Sequence, residues 1–112
     1  MELNSKLDIS YELFSEIQNE NDLNYDDPAM LRKLKTSIAR GIGRIREWSS
    51  DMSLDIESDD AAKELLINYV RYSLAGMIDE FRVRYASDIS ALRLKTEARL
   101  YAAKTAENQD FQ

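Results

Sequence analysis

From Ser58 to Leu100 the chain contains no proline and a single glycine, Gly76, while apolar side chains recur at helical spacing. Ser58, followed by Asp59 and Asp60, has the make-up of a helix start. A hydroxyl can cap free backbone N–H groups there, and two carboxylates suit the positive end of the dipole. The run predicts one long helix over residues 59–85, about seven turns against the usual three or so. Leu65, Leu66, Tyr69, Val70 and Met77 mark one stripe of it, and Leu74, Ile78, Phe81 and Tyr85 mark another. A helix apolar on two faces has to be covered on both, by its own domain and, for what remains, by a neighbouring subunit.

The rest of the chain reads as helical too, because proline occurs once, glycine is rare and no period-2 alternation is sustained. A short helix over 9–19 places Ile9, Leu13, Phe14 and Ile17 on one face. Asp27 before Pro28 is a strong start for a second helix over 28–48, since Asp caps and Pro fits the first helical position. An acidic loop follows, with Met52, Leu54 and Ile56 at alternating positions that suggest a short extended piece. A cap signal at Ala86-Ser87-Asp88 predicts a break before a fourth helix over 89–106. The expected architecture is all-α: residues 1–112 form one domain, a small bundle of about four helices with a long central helix and a C-terminal helix that can project as an arm.

Composition narrows the chemistry. The chain has no cysteine and no histidine, which excludes disulfides, Cys/His metal sites, Ser–His triads and imidazole acid–base catalysis. No secretory signal and no apolar run of about 18 residues appears, so the expectation is a soluble intracellular protein that uses no cofactor and is not an enzyme. Adjacent carboxylates such as Asp59/Asp60 and Asp79/Glu80 point about 100° apart on a helix, so capping and surface ion pairs account for them better than a shared ligand. The net charge of −6 is unevenly spread: residues 1–27 carry −7, 28–50 carry +5, 51–60 carry −5 and the remainder +1. Belts of alternating sign suit a surface that meets one of opposite pattern, including a copy of itself; solvation and local helix pairs are the simpler account of any single belt.

In the second helix Leu31, Leu34, Ile38, Ile42 and Ile45 share one stripe, while Lys33, Arg40 and Arg44 gather opposite, flanked by Arg32, Lys35 and Arg46. That ridge is either a solvated face or one that meets DNA phosphates. Gly41 and Gly43 each cost this helix about 1 kcal/mol relative to alanine, so they either allow close approach of another backbone or mark a bend; close approach is the expectation at both, and at Gly76. Aromatic residues at helical spacing read as core rather than as a base-stacking platform. The fourth helix, with Leu94, Ala98 and Tyr101 along one side, is either the closing element of the bundle or an arm for a partner's groove.

The layout resembles the small all-helical head–tail connector (head-completion or adaptor) proteins of tailed bacteriophages. The resemblance rests on DDPAMLRKLKTSIARGIGRI, AAKELLINYVRYSLAGMIDEF and RYASDISALRL, and it covers the chain from about Ile9 to Leu100. It implies a structural protein of the virion neck, made in the host cytoplasm. Such proteins form a ring of about a dozen subunits under the portal, extend the DNA channel and dock the tail or a stopper protein. It implies further that Lys33, Arg40 and Arg44 line the channel, touching DNA non-specifically. Leu94, Ala98 and Tyr101 would dock on the portal, and Leu74, Ile78 and Phe81 would meet the next subunit. No glycine-rich hairpin is present as a tail-facing loop, so Asp51 to Glu57 would have to fill that place. Two other readings stand beside it. One is a small helical DNA-binding regulator using the second helix, weakened by the acidic total and by the lack of a compact turn between two short helices. The other is a helical adaptor that binds one partner one-to-one.

Overall fold

The computed structural model describes residues 9–21 and 27–109, with side chains described as far as residue 107. Five α-helices account for most of them: α1 (Tyr11–Glu20), α2 (Pro28–Ser49), α3 (Asp60–Leu74), α4 (Ile78–Arg84) and α5 (Ala86–Gln109). One 3-10 turn, Ile56–Ser58, precedes α3, and no strand occurs among the described residues. The start signals act locally. Asp27 accepts from the N–H groups of Ala29 and Met30, with Pro28 opening α2, and Ser10 caps α1 by accepting from Leu13. The loop before α3 is not extended: Leu54 and Ile56 are buried, Met52 is exposed, and Ile56 begins the 3-10 turn.

The long helix expected over 59–85 is two helices. Gly76 takes φ +71, a left-handed conformation that other residues adopt at a cost. The Met77 N–H then reaches back to the Tyr72 carbonyl (2.8 Å) and the Gly76 N–H to Ser73 (3.0 Å). These are the paired bonds of a Schellman stop. The cap of α3 also lies one residue later than expected. Asp59, not Ser58, accepts from the Ala62 N–H, while the Ser58 hydroxyl donates to Asp55.

The core is a single cluster in which α1 contributes Leu13, Phe14 and Ile17, and α2 contributes Leu34, Ile38, Ile42 and Ile45. The stripe from Leu65 to Val70 on α3 lies at its centre, with Phe81 and Leu92 supplied by α4 and α5. Phe81 is completely enclosed by its own chain. Its ring stacks on Tyr85 (4.7 Å between centroids) and on Trp48 (6.1 Å), and meets Tyr69 and Tyr72 edge-on at 5.5 and 5.7 Å. The aromatic residues are therefore core, and the break at Gly76 is what lets α4 fold back to deliver this ring.

The three glycines serve different ends. A Cβ on Gly41 would stand 2.7 Å from Leu66 Cδ1 and 2.9 Å from Tyr69 Cδ1, so close packing of α2 on α3 needs a glycine here. Gly43 and Gly76 face open space, which corrects the expectation of close approach at both; Gly76 is present for its backbone angle.

Denaturant melts should separate these roles. Gly43→Ala is expected to stabilise by about 0.5–1 kcal/mol through helix propensity. Gly76→Ala is expected to cost about 1–2 kcal/mol through the left-handed angle. Gly41→Ala should cost about 1–3 kcal/mol through overpacking. Phe81→Ala should cost the most, about 3–5 kcal/mol; a mild effect on the isolated chain would mean that Phe81 is not the centre of the core.

Candidate functional site

No helix of the described residues is long and apolar enough to cross a membrane, and no group of three acidic side chains among them is placed to hold a metal ion. What the fold presents instead is a set of exposed faces.

The outer face of α2 is the first. Burial of Leu34, Ile38, Ile42 and Ile45 turns Arg32, Lys33, Arg40 and Arg44 outward at i, i+1, i+8 and i+12. All four are exposed and fall within an arc of about 120° at 100° per residue. Arg44 shares a contact of 3.4 Å with Glu47. Arg32, Lys33 and Arg40 have no ion-pair partner among the described residues. With Thr36 they border a groove whose far wall is Ser73, Leu74 and Gly76 at the end of α3, where the Ser37 and Ser73 hydroxyls hydrogen-bond at 2.9 Å. The ridge expected from sequence is brought together, with Arg32 as an added member.

The second face is α5. Leu92 and Thr96 are buried, with Ile89 and Tyr85 partly so, a four-residue stripe that seats the first half of the helix. Two ion pairs fasten it further. Lys95 Nζ stands 2.9 Å from Asp59 Oδ2, and Arg99 reaches Asp51 at 3.2 Å. Beyond Thr96 every described side chain but the half-buried Thr105 is exposed. Leu94 and Tyr101 are 68% and 74% exposed, large values for residues of this kind, and Ala98 is exposed between them. The three expected docking residues therefore share an open surface. Leu100, 43% exposed, falls on the opposite side, in line with Leu92 and Thr96.

The third set is not brought together. Leu74 and Ile78 are half-buried against the core, and Phe81 is sealed inside it. Phe81 is thus withdrawn from the subunit contacts, because its own chain fills the space around its ring. Sequence reasoning missed Val83 of α4, 81% exposed. Its signal was hidden by the continuous-helix reading, which gave that segment the wrong rotation relative to α3.

The acidic loop is held from several sides. Asp51 takes Arg99, the Arg46 Nε donates to the Leu54 carbonyl (3.0 Å), and the Glu57 carboxylate accepts from the Ser10 N–H and hydroxyl. A compact turn between helices does exist at residues 75–77. The objection to a DNA-binding regulator on that ground is removed, but the helix after the turn sets Asp79 and Glu80 against Arg82 and Arg84 and offers no basic recognition surface.

Asp59 joins the site to the fold. Burial pushes its carboxyl upward, but the hydrogen bond from Lys95, those from the Ala62 and Ala61 N–H groups and the charge of Lys95 together hold it below its ordinary value of 3.8. No protein-family model, curated protein or solved structure matches this chain.

A carboxyl held low in the folded state adds stability that is complete above its unfolded value and disappears as pH falls through the folded one. Asp59→Asn, which keeps a capping oxygen, should therefore lower stability at pH 7 and flatten its decline below about pH 4. Urea midpoints of both proteins from pH 7 to 2.5 test this. Parallel curves would mean that Asp59 makes no linked contribution.

Proposed function

We propose that this chain is a structural assembly protein of the head–tail connector type, a subunit of a ring that sits under the portal, extends the DNA channel and docks the tail or a stopper. The observation that carries the reading is the exposed side of α5. A helix of 24 residues, about 36 Å long, is seated by Leu92, Thr96, Lys95 and Arg99, presents Leu94, Ala98 and Tyr101 along its open side, and runs on past Arg99 with its described side chains exposed but for the half-buried Thr105. The molecule is correspondingly elongated, 59 × 34 × 16 Å. A tyrosine and a leucine offered on one open helix face suit insertion into a partner's groove, where aromatic anchors supply most of the binding energy. Arg32, Lys33 and Arg40 of α2, without an ion-pair partner among the described residues, fit a protein that meets other surfaces on more than one side.

The fold changes which experiment is informative. Removing α5 entirely would delete Leu92 and Thr96 from the core, so point changes on the exposed stripe are the cleaner probe. The wild type should co-sediment with its cognate portal and extend the neck in negative-stain images. Leu94→Ala with Tyr101→Ala should keep wild-type helicity and melting while weakening portal binding about tenfold or more. A wild type with no affinity for the portal overturns the connector reading. Full binding by the double variant removes α5 from the docking surface.

A further inference from the structure

Three cations and three carboxylates of this chain lie on separate helices, and neither set has a counter-charge among the described residues. Arg32, Lys33 and Arg40 border the groove between α2 and the end of α3 without an ion-pair partner among the described residues. Glu12, Glu16 and Glu20 stand one turn apart along α1, all exposed and equally unpaired. Like charges four residues apart oppose the helix that carries them. Glu20 also sits at the negative end of the α1 dipole, and no basic residue occupies the last turn. The carboxylate row thus works against its own helix in a single copy, and a cationic surface laid against it would reverse the sign of that effect. The dimensions agree: Glu12 to Glu20 and Arg32 to Arg40 each span eight helical residues, about 12 Å.

We propose that the basic groove of α2 receives the acidic face of α1 from a second copy of this chain. The two patches differ, so the contact is head-to-tail. Each copy offers α1 to one neighbour and its α2 groove to the next, a contact that closes into a ring when the rotation allows. The proposal rests on the ring reading above and names the contact that builds it. It places Lys33 and Arg40 between subunits instead of along the channel. Because the charges are exposed, the association weakens as salt shortens the screening length.

Two charge-reversed full-length chains test this. One carries Glu12→Lys, Glu16→Lys and Glu20→Lys; the other carries Arg32→Glu, Lys33→Glu and Arg40→Glu. All six positions are exposed, and circular dichroism checks that both chains fold. Sedimentation at low salt should show the wild type gaining mass with concentration and losing it as salt is added. Each reversed chain alone should associate at least about tenfold more weakly, since both of its patches then carry one sign. An equimolar mixture should regain the wild-type mass, because each reversed patch finds its opposite on the other chain. Reversed chains that assemble as the wild type does overturn this contact and leave the ring reading standing. A wild type that is monomeric at every concentration also overturns it, while portal binding would still carry the connector reading. Wild-type binding of duplex DNA that the α2-reversed chain loses, without change in mass, assigns the groove to nucleic acid and overturns the contact as well.

Discussion

The aromatic nest around Phe81 is the constraint on which the rest of the structure depends. Its ring touches Trp48 at the end of α2, Tyr69 and Tyr72 on α3, and Tyr85 at the α4–α5 junction. One side chain therefore fixes the position of four helices. Burial of a phenylalanine contributes about 2–3 kcal/mol, and offset and edge-on ring pairs add to that. The glycine stop at residues 75–77 makes the arrangement possible, since a continuous helix would carry Phe81 away from Trp48.

From this nest the direction of α5 follows. Tyr85, Ile89, Leu92 and Thr96 continue the packed stripe, and Lys95 and Arg99 tie the helix to Asp59 and Asp51 on the segment before α3. Past that point the stripe runs out of body to pack on. The exposed end is a consequence of helix length exceeding the length of the core, and it turns a closing element of the bundle into a projecting one.

Charge completes the account. Inside the domain, the ions that matter to the fold are paired: Asp59 is buried with Lys95 against it. Outside, Glu12, Glu16 and Glu20 of α1 and Arg32, Lys33 and Arg40 of α2 have no ion-pair partner among the described residues. The fold thus satisfies its buried charge and leaves two rows of opposite sign exposed on separate helices.

Much of this was legible in the sequence, for identifiable reasons. The all-helical class, the cap at Asp27, the buried stripe of α2 and the exposure of Lys33, Arg40 and Arg44 follow from local propensity and from a period of 3.6, which act within a few residues. Gly41 at a close approach was legible too, since a glycine inside a helix costs stability unless something needs the space. Gly76 was misread by the same rule, because its reason is a backbone angle that composition does not express. Only tertiary structure decided that the long run is two helices, that Phe81 faces inward and that Val83 faces outward. Those outcomes depend on where Trp48 and Tyr69 stand when α4 folds back, and no local pattern carries that information.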